Sequence, residues 1–263
     1  MKQIVLITAL AGLLMSCSAP LQYVYPVSGE QHASPASNVQ RVEQPSLSYP
    51  EARKLIYSDI FYDHRETLYC AAEFDEHREV TLPDGFIVST HQKRANRAET
   101  EHIVPVENFG RTFSEWREGH PLCVHKDGKP YRGRKCAELT NEEFRRMEGD
   151  LHNLYPAIGC VNAARGNKNF AMLGESVPSA FGSCEMRIEK SRVEPPEPSR
   201  GTIARAYLYF DRQYKRFSMS RQQRQLMESW DHMYPPDAWE CERNERIRAI
   251  QGNGNPFVER VCR

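Results

Sequence analysis

Glu101-His102-Ile103-Val104-Pro105 sets a carboxylate beside an imidazole, and Asn162 and Arg165 follow later, three residues apart. These side chains suit metal-assisted attack on a phosphodiester. That reaction needs a nucleophilic water, an electrophile on the phosphate oxygens and stabilisation of the leaving oxygen. An unperturbed imidazole titrates near neutral pH, which makes His102 a candidate general base. Glu101 is a hard oxygen ligand for Mg²⁺, a cation that takes few protein ligands and keeps several waters. Asn162 can add a neutral carbonyl oxygen, so the metal would keep net positive charge for a phosphate diester. Arg134 is a candidate for holding the phosphate in the transition state. A zinc hydrolase is a poorer reading, because His-Glu-x-x-His is absent and no Cys/His spacing replaces it.

These residues need elements to position them. Consecutive residues of a regular strand point to opposite faces, so Glu101 and His102 are expected at a kink or bulge. Asn162 and Arg165 share a helix face if Ile158 to Phe170 is a short polar helix. A helix is predicted over Pro50 to His64 from apolar residues at helical spacing, and an extended segment over Thr81 to Thr90 with a turn at Pro83-Asp84-Gly85. Thr140, with Glu143 three residues on, reads as the N-cap of a helix running to about Gly149. Gly174 to Gly182 reads as a loop and Cys184 to Lys190 as a strand. Three further helices are predicted: Ser199 to Arg216 after a proline break, Ser220 to Met233, and Ala238 to Ile250 ended by Gly252. On the first of these, Arg200 and Arg205 fall outside the apolar stripe and are expected on its surface. The sum is an α+β class, mostly helical, with few short strands.

Lys+Arg and Asp+Glu both number 35. No global field therefore draws the chain to nucleic acid, and polyanion binding requires a local patch. Lys126, Lys129, Arg132, Arg134 and Lys135 face only Asp127 between Cys123 and Cys136, and Lys93, Arg94 and Arg97 precede Glu101. Either cluster alone is also what an ordinary solvated surface looks like.

The N-terminus has a positive Lys2, an apolar run from Ile4 to Met15 too short to span a membrane as a mature helix, and Leu14-Met15-Ser16-Cys17. The last four resemble a bacterial lipobox, so residues 1–17 read as a signal peptide with Cys17 as a lipidation site. Residues 18–46, rich in Ser, Pro, Gln and Val, read as a flexible tether, and residues 47–263 suit one domain. Eight cysteines fit an oxidising compartment, and without Cys17 seven remain. One thiol is then free or pairs between molecules. Cys123 with Cys136, Cys241 with Cys262, and Cys70 with Cys184 would leave Cys160 alone, although spacing does not determine connectivity.

Longer motifs raise the odds. Glu101-His102-Ile-Val-Pro, then Met147-Glu148-Gly-Asp150-Leu-His-Asn-Leu, then Pro156-Ala-Ile-Gly-Cys-Val-Asn162-x-x-Arg165-x-Asn167, resemble the bacterial endonuclease I family. Cys184-Glu-Met186, Arg200-Gly-Thr-Ile-Ala-Arg205-x-Tyr-Leu-Tyr209, Trp239-Glu-Cys241 and Gln251-Gly-Asn-x-Asn-Pro256 continue the likeness, over about residues 50–262 and in the family's order. The resemblance implies an exported nuclease with a ββα-metal (His-Me finger) site that cuts DNA, and often RNA, with little sequence preference and leaves 5′-phosphates. Contacts limited to sugar and phosphate would explain that indifference to sequence.

By the same resemblance His102 is the general base, Glu101 and Asn162 hold Mg²⁺ (with Mn²⁺ or Ca²⁺ as substitutes), Arg134 contacts the phosphate, and Glu148 is an acidic site residue. Lys135, Arg165, Lys93 and Arg94 are weaker candidates for nucleic-acid contacts. A monomer is expected, periplasmic or secreted, or an outer-membrane lipoprotein that meets the membrane only through its N-terminal anchor. The rival function is a nucleic-acid-binding lipoprotein without activity, against which the intact Glu101, His102, Arg134 and Asn162 argue. The chain departs from the family in lacking two cysteines after Cys70, in carrying Cys160, which marks that residue as the odd thiol, and in its lipobox and tether.

Overall fold

The hairpin that carries Glu101 and His102 is built from β1 (Ala98–His102) and β2 (Leu154–Ile158), paired antiparallel from Ala98 opposite Ile158 to His102 opposite Leu154. The computed structural model describes residues 47–262. The expected signal segment, Cys17 and the tether, like Arg263, lie outside the described residues. The pairing runs without a register shift, so the bulge expected at Glu101-His102 is absent. Adjacent strands in a two-stranded ribbon twist strongly, and the two residues are the last of their strand, where side chains of both faces can border one cleft.

Before the hairpin, α1 (Tyr49–Leu55) starts at a capping box between Ser48 and Glu51 and passes into a π-helical turn, Ile56–Ile60, which is shorter than the predicted reach to His64. The stretch from Thr81 to Thr90 forms no strand: it holds the expected turn, with the Phe86 amide donating to the Pro83 carbonyl, and an isolated bridge from Phe86 to Gly182.

Between the strands lie α2 (Val106–Gly110), α3 (Ser114–Arg117), α4 (Arg134–Thr140) and α5 (Glu142–Glu148). Thr140 is not the cap of α5. It closes α4, with its hydroxyl on the Cys136 carbonyl, while the Asn141 side chain accepts from the Phe144 amide. Asn caps at least as well as Thr, and the one-residue shift leaves room for a helix that the basic stretch concealed. Rings of Phe109, Phe113, Phe144 and Phe210 meet at centroid distances of 5.2–5.9 Å and anchor α5 in the core.

After β2 the chain enters α6 (Gly159–Arg165) at once. Gly159 permits this, since a Cβ there would stand 2.5 Å from the Arg94 carbonyl and 2.8 Å from Glu99 Oε1. Helix α6 contacts both strands, so two strands and a helix form one unit. The rest of the predicted polar helix is a turn over 166–168 and a short strand: β3 (Asn169–Phe170) pairs parallel with β6 (Arg192–Glu194), next to β5 (Cys184–Ile188) and β4 (Ser179–Phe181), the last inside the segment expected to be loop.

The helical half follows with α7 (Arg200–Gln213), α8 (Arg221–Met233), capped by Ser220, α9 (Ala238–Gln251), stopped by Gly252 at φ 83°, and α10 (Pro256–Glu259). Arg205 is not a surface residue. It is buried on α7, paired with Glu240 and Asp231. The α+β class, dominated by helix with small sheets, holds.

The disulfides are Cys70–Cys184, Cys123–Cys136 and Cys241–Cys262, and Cys160 is a buried free thiol. Among the described residues no helix is long and apolar enough to cross a membrane.

Candidate active site

Strand β1, helix α6 and the N-termini of α1 and α4 enclose a cleft of about 590 Å³. Glu101, His102, Arg134 and Asn162 all border it, joined by Tyr49 and Glu99. The fold therefore gathers residues as far apart in sequence as Tyr49 and Asn162, 113 positions, around one space.

His102 is buried and donates from Nε2 to the backbone carbonyl of Glu148, 2.9 Å away. A carbonyl only accepts, so Nε2 carries the proton and Nδ1 holds the free lone pair. Burial, reinforced by the Arg134 charge, holds the imidazole pKa down at about 3 against the pull of the Glu148 carbonyl. The ring is thus a neutral base across the physiological range. Tyr49 packs against it at a centroid distance of 5.0 Å and carries the Arg134 guanidinium over its own ring at 5.0 Å.

Arg134 is the first residue of α4, immediately after Gly133 at φ 92° and two before Cys136, so the Cys123–Cys136 bridge ties down the turn that aims it. Its Nε donates to Glu148 Oε1. The Glu148 side chain is fully buried, and its Oε2 has no partner. Burial pushes its carboxyl up, with Arg134 opposing. Glu148 thus holds two site residues, the base through its backbone and the arginine through its side chain.

Glu101 Oε1 accepts from the Tyr69 hydroxyl at 2.6 Å and from Arg165 at 2.9 Å; Oε2 takes neither bond. Burial raises the Glu101 carboxyl, against Arg165 and Tyr69. Arg165, only 1% exposed, also donates to the carbonyls of His102 (2.6 Å) and Ile103 (2.5 Å). It braces the end of β1 and borders the cleft as well, with its guanidinium committed to the Glu101 carboxylate and these two carbonyls. Lys135 is exposed on α4 and Lys93 is exposed before β1; neither borders the cleft. Arg94 does border it, paired with Glu99.

Glu99 was missed from sequence, although β1 offered the signal: two residues before Glu101 on a strand means the same face. It accepts from Asn162 Nδ2 at 3.2 Å. A carboxylate accepts only, so this bond orients the amide and leaves Oδ1 for a cation. Tyr49 had no sequence signal at all.

The donor set fits a sparse hard-cation site: one carboxylate and one amide oxygen on the same cleft. Among the described residues no group of three or more His, Cys, Asp and Glu side chains forms a closed cage. A cation held this way takes its remaining ligands from water and phosphate, as Mg²⁺ does. Arg53, Arg78 and Arg97 add positive charge to the wall, which suits a polyanion.

The Endonuclease I family profile matches residues 46–262. The chain is 41% identical to an extracellular deoxyribonuclease of Aeromonas hydrophila over 218 residues, 80% of this chain and 89% of that protein. It is 42% identical to a periplasmic deoxyribonuclease of the same organism over 211 residues, 77% and 82% of the two chains. It is 35% identical over 215 residues to Endonuclease-1 of Buchnera aphidicola subsp. Acyrthosiphon pisum (strain APS), 80% of each. With a profile match across the whole described domain and relatives of this similarity, the chain belongs to the Endonuclease I family.

Proposed function

We propose that this chain, a phosphodiester-hydrolysing nuclease by its family, is exported and cuts DNA and RNA internally, with little sequence preference, to 5′-phosphate products in a reaction that requires Mg²⁺. The observation that carries the reading is the bond from His102 Nε2 to the Glu148 carbonyl, which leaves Nδ1 as a base on the cleft shared by Glu101, Asn162 and Arg134.

A water near Nδ1 loses its proton to His102 as its oxygen attacks phosphorus, and the bond from phosphorus to the 3′ oxygen breaks. Arg134, held by Glu148, donates to a non-bridging phosphate oxygen as charge builds there. Glu101 and Asn162 Oδ1 would hold the cation, which supplies Lewis-acid charge neutralisation at the phosphate. Arg165 and Tyr69 keep the Glu101 carboxylate in place. Because the cleft wall offers arginines and backbone-directed charge, contacts fall on phosphate and sugar.

The test incubates the oxidised chain with supercoiled plasmid and with RNA, in Mg²⁺ or EDTA, beside His102→Ala. Nicking that needs Mg²⁺ and is lost in the variant is expected. Intact substrates under every metal condition would sink the nuclease reading, and equal cutting by His102→Ala would remove its base. Export with a lipid on Cys17 belongs to the same proposal: labelled fatty acid should enter the wild type and fail to enter Cys17→Ala.

A further inference from the structure

A second cavity, of about 460 Å³, lies beside the reactive cleft and shares the side chain of Asn167 with it. Its chemistry differs from that of the cleft. The cleft wall carries arginines, whereas this cavity has one, Arg111, already paired with Glu107. Its small apolar part comes from Tyr207, Phe217 and Met219, each largely buried and showing only an edge, with the Tyr207 and Phe217 rings 6.1 Å apart in edge contact. Around this surface stand neutral amides: Asn108 bonded to Asn169 at 2.9 Å, Asn167 bonded to Glu107, and Gln223. The Gln223 Nε2 is buried and has no partner in the protein.

A buried amide nitrogen without a partner costs free energy unless a ligand satisfies it. A mostly polar cavity with a small, partly aromatic floor and amides around it suits a flat neutral group with hydrogen-bonding edges, not a phosphate. Asn and Gln pair with base edges, and aromatic faces stack on bases of any identity. Resting on the nuclease reading above, we infer that this cavity is a nucleoside subsite that seats one base of the substrate strand, next to the phosphate being cut, with Gln223 facing the base edge. A nuclease that grips phosphate in the cleft would thereby gain register along the strand and a mild base bias at one position.

Abasic scanning tests this with the full chain in Mg²⁺. A single-stranded oligonucleotide with one preferred cut is made with its base removed at each position in turn, and cutting rates are compared for wild type, Gln223→Ala and Phe217→Ala. Removing one base beside the cut should slow the wild type about five- to tenfold, the scale of a lost stacking or edge contact. The same omission should cost Gln223→Ala and Phe217→Ala less than twofold. Because Gln223 Nε2 bonds nothing in the protein, Gln223→Ala removes no internal bond of that nitrogen, and an unchanged melting temperature confirms that it folds. A flat scan in the wild type, or an equal penalty in both variants, would overturn the subsite while leaving the nuclease intact. A wild type that cuts no oligonucleotide fails the nuclease reading itself; anisotropy of the abasic series in EDTA then decides the subsite by whether one position weakens binding in wild type and not in Gln223→Ala.

Discussion

Glu148 holds His102 and Arg134 by different atoms: its carbonyl oxygen accepts from His102 Nε2 at 2.9 Å, and its carboxylate accepts from Arg134 Nε. A side-chain substitution reaches only the second bond. Glu148→Gln should therefore leave the His102 tautomer intact while loosening Arg134, and cutting should fall about 10–100-fold, less than the loss of about 10²–10⁴-fold expected for His102→Ala. Steady-state kcat/KM on plasmid, measured for both variants, checks the order; Glu148→Gln as damaging as His102→Ala would refute it.

Glu99 and Asn162 form the corresponding pair beside the proposed cation position. Glu99→Ala removes the acceptor that orients the amide, and the cation affinity should drop about 10–100-fold, as for other outer-shell partners of ligands. Calorimetric titration with Mn²⁺ reads this without turnover. An unchanged dissociation constant would mean that Glu99 serves only Arg94.

The Arg165–Glu101 pair is buried on both sides. Arg165→Met strands the carboxylate and the carbonyls of His102 and Ile103, and should destabilise the fold by roughly 3–5 kcal/mol. Adding Glu101→Gln should restore part of the stability but none of the activity. Urea unfolding of the single and double variants gives the comparison, and a double variant no more stable than Arg165→Met would show that the lost backbone bonds, not the stranded charge, set the cost.

Acid should weaken the fold through its buried histidines. Burial holds His152 at about 4 and His102 at about 3, whereas an unfolded histidine titrates near ~6.5. Between those values the unfolded chain takes up protons that the native chain refuses, so stability is fully present above ~6.5 and is lost as pH falls toward 4. Each group contributes a slope of up to about 1.4 kcal/mol per pH unit. Unfolding midpoints at pH 7.5, 6 and 5 should fall in that order, and His152→Gln should flatten the trend by about half.

Thiol counting tests the cysteine assignment. A chain beginning after Cys17 should show no reactive thiol when native and one when denatured without reductant, since Cys160 is buried and the other six are bonded. Two or more would contradict the three bridges.

Much of this protein was legible in its residues because some signals are local. Caps and stops such as Ser220 and Gly252 act within a turn of their own helix, and α8 and α9 lie where those residues place them. The motifs around Glu101-His102 and Asn162 pointed to the family that the whole-domain match shows, and residue type restricts which of their atoms can accept a proton or bind a hard cation. Other features depend on partners far along the chain. Which Glu101 oxygen is occupied is decided by Tyr69 and Arg165, and which His102 nitrogen is free is decided by a carbonyl 46 residues away. Arg165 and Arg205 look alike in sequence to the solvated arginines, and only the carboxylates that the fold brings against them make burial tolerable. Sequence determined the kinds of group present and their local helices. Tertiary structure alone decided which polar atoms were spent on one another and which were left facing the cleft, because a hydrogen bond depends on distance in space and not on separation along the chain.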